Sequence, residues 1–106
     1  MELSDNARAV LLELYKQYLE KEDLDLPDAD VIDPSFSETT EVFGEPKPNT
    51  VDKALLELQG CGLVKMDILG YITITEKGIA FMDSSYHHRI DEVRQAIGAL
   101  IKLFLR

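Results

Sequence analysis

The sequence has little of the chemistry on which enzymes and metalloproteins usually depend. Its 106 residues include one cysteine, two histidines and no tryptophan. They contain no Ser-His-Asp order, no paired-carboxylate motif, no glycine-rich phosphate loop and no Cys/His cluster. The single cysteine, Cys61, has no partner for an internal disulfide, which fits a reducing compartment such as the cytoplasm. We therefore predict a cytoplasmic protein that is not an enzyme and that uses no metal and no other cofactor.

Long apolar runs and a leader segment are missing as well. No run approaches the roughly 20 residues that a membrane-spanning helix needs, and the opening residues MELSDNARAV lack the basic segment of a signal peptide. Four prolines and six glycines are too few for a linker, and 45% of the residues are hydrophobic. This composition predicts one globular domain with a core of its own and no membrane partner.

Positive charge is scarce in the first half of the chain. Residues 1–46 hold 13 acidic and three basic residues, whereas residues 47–106 hold seven acidic and eight basic residues. The net charges are therefore −10 and +1. An anionic partner would be repelled by the first half and tolerated by the second.

The apolar pattern predicts a mainly helical chain with one hairpin. Apolar residues spaced by three and four indicate helices, and alternation over 71–75 indicates a half-buried strand. The predicted elements are, in order, a helix over 5–20, an acidic loop over 21–35 in which VID pairs briefly as a strand, a short helix over 36–43, a helix over 49–59, a strand over 63–67, a turn over 68–70, a strand over 71–75, and helix from 76 almost to 106 with a break at 83–85.

Polar residues at the helix starts are candidate caps, because their side chains can accept a hydrogen bond from a free backbone N–H of the first turn. The predicted caps are Ser4 or Asp5 for the first helix, Ser37 for the short helix, Asn49 or Thr50 for the third, and Thr75 for the helix after the hairpin. Gly44 is predicted to end the short helix, since glycine takes the left-handed closing conformation at low cost.

Two stretches, FSETTEVFGEPKPNTVDKALLELQGCGLV and GYITITEKG, resemble the winged helix-turn-helix superfamily, in particular small regulators of the MarR and PadR type. The resemblance covers about residues 36–82 and includes a GLV exit from the second helix and a Thr-x-x-Gly start to the helix after the wing. It implies an α+β, mainly α fold: a winged helix-turn-helix with a two-stranded wing and a long C-terminal helix.

The resemblance also implies a DNA-binding transcriptional regulator whose recognition helix, residues 49–59, enters the major groove from its N-terminal end. The candidate contacts to double-stranded DNA are Lys47, Asn49, Thr50, Lys53 and Lys65.

The alternative is a winged-helix module that binds proteins and not DNA, with the acidic first half meeting a basic partner. Two features favour it. Related wings offer Arg or Lys at the tip, because phosphates are negative, whereas this tip is Asp67, Ile68, Leu69 and Gly70. Asp52 lies on the face that would meet DNA.

The end of the chain has the pattern of a dimerisation helix. Apolar residues step by three and four, as in a heptad seam: Ile90, Val93, Ile97, Leu100 and Phe104, with Ile101 widening the stripe. A helix of 20 residues is about 30 Å long and would overhang a core this small. We therefore predict a winged-helix domain over 1–82, a C-terminal dimerisation helix over 83–106 and a homodimer; the alternative is that this helix folds back on its own core.

Three remaining features have simpler interpretations than a site. Cys61, between two glycines, is expected to be a small buried residue and not a nucleophile. His87 and His88 are adjacent, so on a helix they point about 100° apart and cannot chelate one ion. The acidic tract lacks the glycine of a calcium loop and is interrupted by prolines, which indicates a solvated negative loop.

Overall fold

The structure, a computed structural model, describes residues 2–104, except for the side chains of residues 103 and 104. Within that range five helices and two small antiparallel sheets form a mostly helical α+β fold, and this confirms the predicted class. The helices are α1 (Asp5–Asp23), α2 (Phe36–Thr39), α3 (Pro48–Gly60), α4 (Glu76–Tyr86) and α5 (Ile90–Phe104). The strands are β1 (Val31–Ile32), β2 (Glu41–Val42), β3 (Glu45–Pro46), β4 (Val64–Met66) and β5 (Ile72–Ile74).

Helix α1 is the centre of the core, and α3 and α5 pack against it. Ser4 caps it as predicted: its hydroxyl accepts from the N–H of Ala7 at 3.1 Å. The same hydroxyl donates to a Glu57 carboxylate oxygen at 2.7 Å, which joins the start of α1 to α3. The helix continues to Asp23, three residues past its predicted end. Its buried residues include Ala7, Val10, Leu11, Leu14, Tyr15, Tyr18 and Leu19.

The predicted hairpin is confirmed, and the predicted VID strand completes a three-stranded sheet. Strands β4 and β5 pair antiparallel, with Met66 opposite Ile72, and β1 pairs antiparallel with the other edge of β5, with Ile32 opposite Ile72. The strand order is β1-β5-β4. Ile72 and Ile74 point into the core and Thr73 away from it, which is the period of two expected for a half-buried strand.

The predicted helix over 36–43 is wrong in its second half. Helix α2 ends at Thr39, and the chain then forms the tight hairpin of β2 and β3. Gly44, with φ 86°, lies in the turn of this hairpin and does not end a helix. Ser35, and not Ser37, occupies the position before the helix. The extended backbone follows from the β-branched Thr40 and Val42, whose side chains are both buried.

The start of α3 also differs from the prediction. The helix begins at Pro48, with Lys47 before it, and no side chain caps it; neither Asn49 nor Thr50 has the predicted role. Proline suits this position, because its fixed φ is helical and the first-turn N–H that it lacks would have no partner in the helix.

The C-terminal region is two helices and not one long helix. Helix α4 ends at Tyr86, His87 and His88 take left-handed backbone conformations with φ 51° and 60°, and α5 begins at Ile90. The predicted break at 83–85 is therefore wrong, and a boundary between 82 and 83 would cut α4. Since α5 folds back along α1, it does not overhang the core.

Candidate functional site

Helix α3 has one buried and one open face. Its buried residues recur at helical spacing: Val51, Ala54, Leu55 and Leu58. The opposite face exposes Asn49, Asp52, Lys53 and Leu56 to solvent. This is the face that the sequence resemblance assigns to recognition.

The predicted DNA-binding residues are accessible but do not form one basic patch. Lys47, Asn49, Lys53 and Lys65 are exposed, and Thr50 is half-buried. Lys47 pairs with Glu45 at 3.7 Å, and Asp52 is exposed beside Lys53.

Lys65 lies at the other end of α3. The side-chain oxygen of Gln59 accepts from the N–H of Met66 at 3.2 Å, which places β4 beside the C-terminal end of the helix. At 1.5 Å per residue, Gln59 is about 18 Å along the helix from Lys47. The basic residues are therefore separated by acidic and apolar side chains.

The turn between β4 and β5, residues 67–71, which we call the wing tip, is organised by Asp67. Its carboxylate accepts from the N–H groups of Leu69 and Tyr71, both at 2.9 Å. Gly70, with φ 91°, closes the turn, a conformation that glycine adopts without a Cβ penalty. In the sequence Asp67 counts only against a contact with phosphate, whereas in the structure its carboxylate shapes the turn.

The wing tip is an exposed apolar surface. Ile68 is 100% exposed and Leu69 is 73% exposed, and on α3 Leu56 is 61% exposed. Single exposed apolar residues are common on proteins, whereas large contiguous apolar patches indicate interaction surfaces. In the sequence these residues stand out only as a tip without Arg or Lys; the adjacent Ile68 and Leu69 at a turn are the signal that indicates an exposed apolar tip.

The acidic segment 21–35 lies next to the wing tip. A Cβ placed on Gly70 would lie 3.3 Å from Cβ of Pro34, so the two backbones approach closely there. Asp33 is exposed, and the hydrogen bonds from Ser35, whose N–H donates at 2.8 Å, lower the pKa of Asp33. Leu24 is 71% exposed in the same segment. Of this segment, residues 33 and 34 are therefore the part that lies beside the wing tip.

The candidate dimerisation residues pack largely on their own chain. Val93 is fully buried in the core, so it is not accessible to a second copy. Ile90, Ile97, Leu100 and Ile101 are half-buried, and the Phe104 side chain lies outside the described residues. An open cleft of about 430 Å³ lies at the surface where α1, α4 and α5 meet. Its lining residues include Leu12, Phe81, Ala99 and Leu100.

The remaining candidate groups form no metal or membrane site in the described part of the chain. Cys61 is half-buried and free. Among residues 2–104 no three His, Cys, Asp or Glu residues are grouped so that they could hold a metal ion. Within the same range, no helix combines the length and the apolar character that crossing a membrane requires.

Comparisons with models of protein families, with curated proteins and with solved structures found no match to this chain.

Proposed function

We propose that this protein is a winged-helix module that binds a protein partner through the wing tip and the acidic segment beside it. The order α1, β1, α2, α3, β4, β5 and the sheet order β1-β5-β4 support a winged helix. The hairpin of β2 and β3 is then an insertion between α2 and α3, and α4 and α5 follow the wing.

The full exposure of Ile68 at the wing tip is the observation that carries this proposal. Burying an isoleucine or leucine side chain contributes about 1.5–3 kcal/mol, so Ile68 and Leu69 together are large enough to anchor a contact. Hydrogen bonds of Asp67, Leu69 and Gly70 fix the backbone of the turn that carries both residues. Little backbone conformational entropy is then lost when a partner covers them.

The charge beside the wing tip indicates what kind of partner surface would fit it. Asp33 is next to the wing tip, whereas the exposed Asp23, Asp25 and Asp28 lie towards the other end of β1, where the carbonyl of Asp30 accepts from the N–H of Ile74. None of these four takes part in an ion pair with another residue of the 2–104 range. A partner with an apolar recess and a basic rim would complement this surface.

The test is site-specific crosslinking in cell extract of the source organism. A photo-crosslinking amino acid replaces Leu69, and the control places it at Gln95, which is exposed on α5. We expect position 69 to capture one discrete protein, with the yield falling in 0.5 M salt and on adding Asp33→Asn. Equal capture from both positions, or capture of nucleic acid alone, would contradict the proposal.

Double-stranded DNA is the second candidate, favoured by the exposure of Lys47, Asn49 and Lys53 near the start of α3. It predicts binding in a mobility-shift assay at 50 mM salt that weakens steeply by 200 mM. Lys53→Gln would weaken binding and Lys102→Gln, on α5, would not. No shift at low salt excludes DNA; a shift lost in Lys53→Gln and kept in Leu69→Ser would instead show that DNA is the partner.

A second copy of this chain is proposed to cover the cleft between α1, α4 and α5. Ala96 and Ala99 of α5 line this cleft, and their small side chains would let another backbone approach closely. Light scattering at micromolar concentration should give twice the chain mass. Ala99→Glu should give a monomer and Gln95→Glu should not; a monomeric wild-type protein would reject the dimer.

A further inference from the structure

His88, at the joint between α4 and α5, lies between two carboxylates from different helices. Its Nε2 is 2.6 Å from Oε1 of Glu22 on α1, and its Nδ1 is 3.2 Å from Oδ1 of Asp83 on α4. A neutral imidazole has one N–H and one acceptor nitrogen, so it can donate to only one of these oxygens. Only the imidazolium donates to both.

Two tyrosines of α1 lie beside this contact. The Tyr15 hydroxyl donates to Asp83, and burial together with the nearby Glu22 raises the pKa of Tyr18 to about 12. Both tyrosine rings meet the imidazole edge-on, with centroids 6.4 Å and 5.6 Å from it.

The other nearby charged groups have their own partners or lie further off. On α5, Arg94 pairs with Glu20 of α1 at 3.3 Å. In the linker before α5, Arg89 pairs with Asp91 at 3.4 Å and with Glu92 at 3.8 Å. Asp30 acts on Tyr18 through its charge. No described cation therefore competes with His88 for Asp83 or Glu22.

The backbone of the joint needs such a contact. His87 and His88 both have left-handed conformations, which cost energy for a residue with a Cβ and persist when surrounding contacts hold them. Among the hydrogen bonds, ion pairs and ring contacts of the described residues, only those of His88 join the linker 87–89 to α1. His88 thus adds to the buried Val93 and the Arg94–Glu20 pair, which also hold α5 on α1.

We propose that His88 is a proton-operated clasp: as an imidazolium it ties the α4–α5 joint to α1, and when it loses its proton the joint loosens and α5 detaches more readily. This inference is independent of the proposed function.

The direction of the pH effect follows from the cluster. Burial opposes the positive charge, but the hydrogen bonds and charges of Asp83 and Glu22 outweigh it and raise the pKa of His88. A raised pKa means that the contribution is complete below the unfolded value of about 6.5 and is lost as pH rises through the folded value. The clasp is closed below about pH 6.5 and opens as pH rises through the raised pKa of His88.

Hydrogen exchange of the full chain tests the clasp. Amide protection of α5 relative to α3, corrected for intrinsic exchange, is compared at pH 6 and pH 9. We expect relative α5 protection to be lower at pH 9 than at pH 6, because the neutral ring can donate to only one of the two carboxylates.

The adjacent histidine supplies a matched control, because no ion pair, hydrogen bond or ring contact joins the His87 ring to another residue of the described range. Asparagine tolerates the left-handed conformation, so both variants keep the backbone. His88→Asn should show low relative α5 protection at both pH values, and His87→Asn should behave as the wild type.

The proposal would be overturned if wild-type α5 protection relative to α3 were the same at pH 6 and pH 9. Equal effects of the two variants would overturn it as well. An NMR titration of the wild-type His88 ring gives a second readout. A midpoint at or below 6.5 would contradict the clasp even if His88→Asn did not fold.

Discussion

Gly78 is the position at which one added methyl group should matter most. It is buried in the first turn of α4, and a Cβ there would lie 2.3 Å from the carbonyl oxygen of Leu63 and 3.0 Å from Cγ1 of Ile74. The nearest obstacle is backbone, which cannot move aside as a flexible side chain would. The glycine therefore permits the close approach of α4 to the residue that precedes β4.

Gly78→Ala should destabilise the protein by at least about 1–3 kcal/mol, the usual cost of overpacking a core. Gly98→Ala on α5 is the control, since nothing lies within 4 Å of its added Cβ. It should stabilise the protein by about 0.5–1 kcal/mol, because alanine is the better helix former. Urea unfolding measures both, and an unchanged midpoint for Gly78→Ala would contradict the close packing.

At the scale of elements, Thr75 joins the hairpin to α4. Its hydroxyl accepts from the N–H of Gly78 at 3.0 Å and donates to the carbonyl of Gly62 at 2.7 Å. Its own N–H donates to the carbonyl of Leu63 at 3.0 Å. This is why strand β5 passes directly into a helix: the cap satisfies the helix start, and the same residue holds the helix to the chain before β4.

Thr75→Ala should lower the free energy of unfolding by about 1–2 kcal/mol, because it removes the cap of α4 and one further hydrogen bond. Thr75→Ser keeps the hydroxyl and should lose clearly less. Thermal unfolding of the two variants side by side tests this. If serine and alanine cost the same, the methyl group and not the hydroxyl is what stabilises the junction.

Side chains also protect the two edges of the three-stranded sheet. On β1, Lys21 Nζ donates to the carbonyl of Val31 at 2.6 Å; on β4, Gln59 accepts from the N–H of Met66. Open strand edges invite pairing with other chains. Because both edges are protected, we expect a partner at the wing tip to bind through side chains and not by adding a strand to the sheet.

Local sequence patterns predicted the elements whose formation depends on residues close together in the chain. The period of three and four in α1 and α3 and the alternation in β5 were sufficient to find these elements. The pattern failed at 40–46, where a buried Val42 and a turn through Gly44 made a hairpin. The pattern failed again at 87–89, where the chain turns between α4 and α5. This turn is stabilised by the contact of His88 with Glu22, which is far away in the sequence, and no local sequence pattern predicts it.

At the scale of the whole molecule, a net charge of −9 should make stability depend on salt. The excess lies in residues 1–46, where exposed aspartates repel one another, and salt screens such surface charges beyond about 10 Å at 0.1 M. Raising NaCl from 10 to 150 mM at pH 7 should raise the melting temperature by a few degrees, the size of a change of about 1 kcal/mol.

Changing Asp23, Asp25 and Asp28 together to Asn should reproduce part of that gain at low salt and reduce the further effect of salt. Glu13→Gln is the control, because Glu13 pairs with Lys16 at 3.0 Å and its loss relieves no repulsion. A melting temperature that falls with salt would show that attractive pairs, and not repulsion, dominate the surface.

The sequence alone determined helices α1 and α3, the hairpin of β4 and β5, and which of their faces are apolar, because backbone sterics and side-chain period act over a few residues. The charge asymmetry and the lack of catalytic motifs were equally plain from composition. The tertiary structure alone decided that α5 lies on α1, that Asp67 shapes a turn whose apolar neighbours face solvent, and that His88 meets Glu22 across 66 positions. These depend on contacts between residues distant in the chain, and such contacts form only once the core has brought the elements together.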